Sequence, residues 1–408
     1  MTIDRPERET QNRIIALFKD LGYRYLGDRT DFANSNIWDE NLTAHLAQSG
    51  YGETKISRAV ELLKRAANGS GSLYERNQEV YKLLRYGVDV KTEAGGKTDK
   101  VHLVNWEQPL KNDFAFAEEV TLRGNFERRP DIVIYLNGIA IGVLELKRSS
   151  VSIGDGIRQN ISNQLPEFNE WFFSTVQFVM AGNNSEGLKY GTVGTQEKYF
   201  LNWKEDEADN SGYKLDKYLW KLCAKPRLLE LIHDFTLFDG GIKKLPRPHQ
   251  YFGIKAAQEF VQRKEGGIIW HTQGSGKSIV MVLLAKWILE TNPNARVVII
   301  TDRDELDKQI ERVFTAAGET VKRTKNGNQL MSLLGKAAPR LICSLVHKFG
   351  QRNVEDFDGF IKELESQPSK TVGEVFVFVD ECHRTQSGKL HRAMKALMPN
   401  AVFIGFTG

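Results

Sequence analysis

Two short stretches carry residues whose types and spacing are suited to phosphate chemistry. The first is His271-Thr-Gln-Gly274-Ser275-Gly276-Lys277-Ser278. Gly274 and Gly276 let the backbone curl around Ser275 so that several amides converge on phosphate oxygens. Lys277 supplies a point charge for β and γ phosphates, and Ser278 a hydroxyl for magnesium. About a hundred residues later, Val375-Phe-Val-Phe-Val ends in Asp380-Glu381-Cys-His383, a strand delivering two carboxylates at the end where parallel sheets bind ligands. Asp380 is expected to hold magnesium through water, Glu381 to activate the water that attacks the γ phosphate, and His383 to link the site to neighbouring segments. Taken alone, a Gly-rich turn or an acidic pair can merely cap the next helix. Strand, loop, Lys-Ser and helix in this order make a nucleotide site the better reading.

The second stretch is Arg129-Pro130-Asp131, followed by Gly142-Val-Leu-Glu145-Leu-Lys147. Period-two geometry puts Glu145 and Lys147 on one face of a strand. Two carboxylates that bind magnesium beside a lysine make an economical phosphodiesterase: the metal polarises the phosphate, and Lys147 positions water or stabilises charge. A solvated Glu and Lys surface pair is the bland alternative. It is disfavoured because Val133, Ile134, Leu144 and Leu146 make both strands apolar, and buried charges need partners or a metal. Register offers a check. A two-residue Asn137-Gly138 loop puts Asp131 on the face opposite Glu145. A three-residue loop with left-handed Gly138 pairs Asp131 with Val143, beside Glu145. The chemistry requires convergence, so the odd loop is expected.

These residues must be positioned by two kinds of structure. Residues 8 to 90 have helical apolar spacing, and from Lys100 the period turns to strands at 101–104, 119–123, 131–136 and 139–147. A helix over 155–173, a strand over 176–181 and exposed loops or hairpins over 182–194 complete an α+β domain at 1–238. Asp239-Gly-Gly-Ile-Lys-Lys-Leu-Pro-Arg-Pro248 has a linker's composition. From 249 to 408, apolar strands at 267–271, 296–301, 341–345, 375–380 and 402–406 alternate with helices from Lys277, from Glu305 and near Val354 to Glu365. That is the pattern of a parallel sheet covered on both faces.

Length and composition narrow the class. The 408 residues suggest two or three domains, and 41% hydrophobic with 26% charged residues is ordinary for a globular protein. No apolar run approaches the roughly 20 residues that cross a bilayer, and no apolar h-region follows the N-terminus, so a cytoplasmic protein is expected. A net charge of +4, from 56 Lys and Arg against 52 Asp and Glu, is too mild to announce nucleic acid. Cys223, Cys343 and Cys382 lie far apart and suggest neither disulfides nor zinc, leaving oxygen ligands for any metal.

The loop at 271–278, the Asp-Glu-Cys-His box and Phe403-Ile-Gly-Phe-Thr-Gly408 resemble motifs I, II and the start of III of superfamily-two helicases and translocases. The resemblance implies a RecA-like lobe, ATP with Mg2+, and an adenine-reading glutamine, which Gln250 in Arg247-Pro-His-Gln250 would supply if it is not a helix cap. Ile300-Thr-Asp-Arg303-Asp-Glu-Leu-Asp307 is similar to motif Ia, making Arg303 a possible DNA contact, although Asp302 or Asp304 serves equally as an N-cap. Ile342 to Lys348 is similar to motif Ib. Pro130, Asp131, Glu145 and Lys147 resemble the PD-(D/E)xK nucleases. Gln159, in Gly156 to Asn163, matches their QxxxY helix, with Asn163 in place of tyrosine. Glu79 corresponds either to an accessory acid on an early helix or to a solvated helix face.

A restriction-endonuclease-like domain followed by such a motor lobe resembles the R (restriction, motor) subunit of type I restriction-modification enzymes. That implies ATP-driven translocation and cleavage of double-stranded DNA in a complex with methyltransferase and specificity subunits. A chain ending inside motif III is expected to lack the second lobe and to hydrolyse little ATP. An independent nuclease-helicase of DNA repair or of another restriction type, and a non-cleaving ATP-responsive DNA-binding module, remain open alternatives.

Overall fold

The computed structural model describes residues 7–91, 97–205, 212–301, 304–316, 320–324, 327–345, 371–382 and 398–408, with isolated positions between 359 and 395. The chain divides into two compact units, Met1–Pro248 and His249–Gly408.

In the first unit, α1 (Glu7–Asp20) and β1 (Arg24–Asp28) precede three helices: α2 (Asp39–Gln48), α3 (Glu53–Ala67) and α4 (Leu73–Tyr86). Helix α4 opens on a reciprocal capping box between Ser72 and Glu75. A small antiparallel ribbon, β2 (Val88–Lys91) with β3 (Thr98–Val101), leads into β4 (Phe114–Glu118), β5 (Ile132–Leu136) and β6 (Ile139–Leu146). Then come α5 (Ile153–Asn163), α6 (Glu170–Phe173), β7 (Phe178–Asn183), β8 (Gly187–Gly191), β9 (Leu201–Asn202), α7 (Lys214–Leu222) and α8 (Lys225–Phe235). Seven strands form one mixed sheet in the order β1-β4-β5-β6-β7-β8-β9. Strands β4 to β7 are buried throughout, so their apolar runs show no alternation. One core joins Val133, Tyr135 and Val143 of the sheet to Ile153 and Ile157 of α5 and to Phe172 and Phe173.

Three expectations are corrected here. The strand expected at 119–123 lies earlier, at Phe114–Glu118. The segment expected as a linker from Asp239 contains a hairpin, β10 (Leu237–Asp239) with β11 (Ile242–Lys244), turned by Gly240 and Gly241 at positive φ. Its Lys243 is buried, donating to Asn77 Oδ1 at 2.8 Å and Gln177 Oε1 at 2.6 Å, which locks the hairpin into the first unit. The third correction is the β5–β6 turn, which has two residues: Leu136 pairs with Ile139, and Asn137 and Gly138 have φ of +52° and +83°. Both central residues are left-handed, the requirement of a tight hairpin turn. The Asn137 side chain donates to Leu103 O and Asn112 Oδ1 and accepts from the Asp113 amide, so the neighbouring loop fixes the turn.

In the second unit, α9 (Pro248–Gln262) precedes β12 (Gly267–Trp270), α10 (Lys277–Thr291), β13 (Ala295–Thr301), α11 (Asp304–Ala316), β14 (Val321–Thr324), α12 (Gly327–Leu334), β15 (Leu341–Leu345), β16 (Glu374–Val379) and β17 (Val402–Thr407). The six strands are all parallel, in the order β12-β17-β16-β13-β15-β14. Strand β14 and helix α12 were not among the expected elements. The helix expected near Val354 to Glu365 falls mostly outside the described residues.

Candidate functional site

Asp131 and Glu145 share a face of the sheet of the first unit, but a different device from the expected odd loop brings them there. Tyr135 pairs with Ala140 and Ile134 with Gly142, so Ile141 is an extra residue on β6. This β-bulge shifts the register by one. Beyond it Val133 faces Val143 and Ile132 faces Leu144, and the same register sets Asp131 opposite Glu145. Asp131 Oδ2 accepts the Leu146 amide at 2.6 Å, closing the pair against the strand.

Helix α5 lies over this end of the sheet. Gly156 is close enough that a Cβ there would sit 3.2 Å from Ala181, 3.5 Å from Glu145 Cβ and 3.5 Å from Lys147 Cγ. Glu145 and Lys147 therefore point together toward the helix. Asn163, at the end of α5, donates to Glu145 Oε1 at 3.4 Å, whereas Glu145 Oε2 has no hydrogen-bond partner. Glu145 is fully buried and Asp131 is 9% exposed. Burial pushes the Glu145 carboxyl well above the ordinary range, and the neighbouring Asp131 adds to the effect. Burial likewise pushes Asp131 up to about 6, opposed by the Leu146 amide and the Lys147 charge. Protons or a cation must balance such a pair.

Lys147 Nζ donates to Leu146 O at 3.0 Å and lies 3.9 Å from Glu7 Oε1. Glu7 is the acidic residue that an early helix brings to the pair, and motif spacing does not reveal it. Glu79 instead stands exposed on α4, paired with Lys82 at 2.7 Å. Gln159 is half-buried on α5, and it is Asn163, the position that departs from the tyrosine pattern, that reaches Glu145. Among the described residues no three His, Cys, Asp or Glu side chains gather as a metal-binding group. The donor set is two facing carboxylates, one with a buried oxygen free of protein partners. That suits a hard cation such as Mg2+, which keeps several waters.

In the second unit, the loop after β12 enters α10 with Gly274 and Gly276 at φ of +78° and +86°. Those conformations belong to glycine. Lys277 is 7% exposed and donates to His271 O at 3.4 Å; Ser275 is buried and Ser278 half-buried. Gln250, near the start of α9, is buried and its amide donates to Ser275 O at 2.9 Å and Gly276 O at 3.3 Å. Asp380 follows β16 at the same end of the sheet, and its Oδ2 accepts from Thr301 Oγ1 at 3.1 Å. Glu381 is buried with φ +49°, an uncommon conformation for glutamate. Gly408 lies against Lys277: a Cβ there would come 2.3 Å from Nζ. Arg303 and His383 lie outside the described residues.

Comparison with known proteins agrees with this division. Residues 4–198 match the family described as type I restriction enzyme R protein N terminus, and residues 249–408 match SWI2/SNF2 ATPase. The chain is 30% identical over 395 residues to the type I restriction enzyme HindI endonuclease subunit of Haemophilus influenzae, covering 86% of this chain and 36% of that protein. It is 27% identical over 374 residues to the putative MjaIXP endonuclease subunit of Methanocaldococcus jannaschii, covering 81% and 34%. It is 25% identical over 405 residues to the SsaAORF53P endonuclease subunit of Staphylococcus saprophyticus, covering 98% and 42%. The chain thus spans between about a third and two-fifths of the length of these relatives. Over most of its length the chain is similar to type I restriction enzyme R (endonuclease) subunits.

Proposed function

We propose that this chain carries the DNA-cleaving site and the first ATP-binding lobe of a restriction subunit that translocates and cuts double-stranded DNA, working with methyltransferase and specificity subunits. The observation that carries the reading is the facing pair Asp131 and Glu145 beside Lys147. Asp131 and Glu145 would hold Mg2+, and Asn163 would fix the orientation of Glu145. When bound, the metal polarises the scissile phosphate and lowers the pKa of water. Lys147 would stabilise the charge developing on the phosphate and position the attacking water.

In the second unit, the amides from Gly274 to Ser278 and the Lys277 ammonium would take the β and γ phosphates, with Ser278 and Asp380 holding the nucleotide's magnesium. Glu381 would orient and deprotonate the attacking water. Gln250 would connect adenine to the loop whose carbonyls it holds. The test is Mn2+ binding followed by electron paramagnetic resonance, together with nicking of supercoiled plasmid in Mg2+. Glu145→Gln should abolish both, and retention of both would reject the cleavage reading.

A further inference from the structure

Between β4 and β5 the chain forms an arm that leads directly into Asp131. Glu119 takes φ +51°, and past it Val120 N donates to Pro130 O at 3.1 Å. Leu122 and Arg128 then exchange backbone hydrogen bonds of 2.7 and 3.1 Å, leaving Arg123 to Glu127 as the tip. Three contacts hold this end of the arm to Phe168. The Phe126 ring lies 5.5 Å from the Phe168 ring, and the Arg128 guanidinium lies 4.1 Å over the same ring. Gly124 approaches so closely that a Cβ would sit 2.4 Å from Phe168 O. At the base, Asn34 Nδ2 donates to Thr121 O at 3.0 Å. The arm is thus braced at both ends, yet Phe126 is 58% exposed and Arg123 and Arg129 are exposed as well.

The arm carries Arg123, Arg128 and Arg129 against the single acid Glu127, and Glu119 just before it is paired with Arg129 at 3.0 Å. Glu7, Glu119, Asp131 and Glu145 make the adjoining site acidic, and a phosphodiester approaching it would be repelled. A flank of guanidinium groups, which bind phosphate oxygens in a bidentate manner, offsets that repulsion. An exposed aromatic ring held in one orientation adds a surface for sugar or base contact.

We propose that residues 120–130 form an arm that grips the backbone of duplex DNA and seats the scissile phosphate beside Asp131. The proposal rests on the nuclease reading of Asp131 and Glu145.

The test is fluorescence anisotropy of a short labelled duplex in EDTA, so that nothing is cut, over a range of salt concentrations. For Arg123→Ala with Arg128→Ala, the slope of log affinity against log salt should fall by about 2 relative to wild type. Arg123→Lys with Arg128→Lys should keep the slope. Phe126→Ala should weaken binding at unchanged slope, because it removes contact without charge. Arg123→Glu, at an exposed position that cannot disturb the core, should weaken binding several-fold even if the double alanine variant fails to fold. Wild-type affinity and slope in Arg123→Glu would overturn the proposal, and so would dependence on the arm for single strands but not for duplex. Nicking assays separate the two readings. Cleavage that needs Glu145 but ignores the arm variants defeats the arm alone. Arm-dependent binding without Mg2+-dependent cleavage defeats the nuclease reading and leaves the arm.

Discussion

Asp131 lies directly across the β5–β6 hairpin from Glu145, and it does so because Ile141 has no partner on β5. Deleting Ile141 should remove the bulge and restore straight pairing with Glu145 still opposite Asp131, because the two are then an odd number apart. Mn2+ binding at the carboxylate pair is expected to persist although the interval between the acids has changed. A urea melt of the variant beside wild type serves as the folding control. A deletion variant that folds but no longer binds Mn2+ would contradict the register given to the bulge.

The same pair predicts the pH dependence of stability without metal. A carboxyl whose folded pKa is raised contributes stability while protonated, below its unfolded value, and that contribution is lost as pH rises through the folded value. For Asp131, moved from near 4 to about 6, the loss is on the order of 3 kcal/mol, and Glu145 is displaced in the same direction. In EDTA, wild type should therefore lose melting temperature between about pH 4 and pH 7 relative to Asp131→Asn with Glu145→Gln. Mg2+ should reduce the difference. Parallel melting curves for the two proteins across this range would refute the argument.

Asn163 should act through Glu145. Losing such a support typically costs about 10- to 100-fold in metal affinity or activity. Asn163→Ala is therefore expected to raise the Mg2+ concentration needed for nicking, with the fold retained. An unchanged Mg2+ titration would assign Asn163 to packing only.

Lys277→Ala should lower affinity for ATP with Mg2+ by about 10- to 100-fold, the size of a charge-assisted hydrogen bond. Calorimetric titration checks this. Equal affinity in variant and wild type would remove Lys277 from the phosphate site.

Gly138→Ala tests the turn. Its φ is +83°, and a Cβ would come 2.8 Å from both Trp38 O and Asn41 Cβ. Strain and clash together should cost at least about 1 to 2 kcal/mol, read in a urea melt. A variant as stable as wild type would mean that the turn relaxes freely.

Much of this arrangement is legible in the residues. The loop from Gly274 to Ser278, the strand before Asp380 and the shared face of Glu145 and Lys147 all follow from local rules of spacing. The bulge does not, because Ile139 to Leu146 are buried on both faces and carry no alternation from which parity can be counted. Gly240, Gly241 and two lysines read as a linker by composition, yet burial of Lys243 on Asn77 and Gln177 depends on residues far away in sequence. Glu7 reaches Lys147 across the same kind of distance. What eluded the sequence is tertiary pairing, not local preference.

The bulge also gives meaning to the number of residues separating the two halves of the motif. Across a two-residue turn, straight antiparallel pairing aligns positions an odd number apart, whereas Asp131 and Glu145 are an even number apart. The surplus residue is Ile141. In any relative with the same turn, the parity of that interval reports whether a bulge is needed for the acids to meet. A copy with Pro-Asp and Glu-x-Lys intact but one residue fewer between them would bring its acids together by straight pairing, with no extra residue. Spacing, read with the motif letters, tells whether the hairpin must carry an extra residue to assemble the centre.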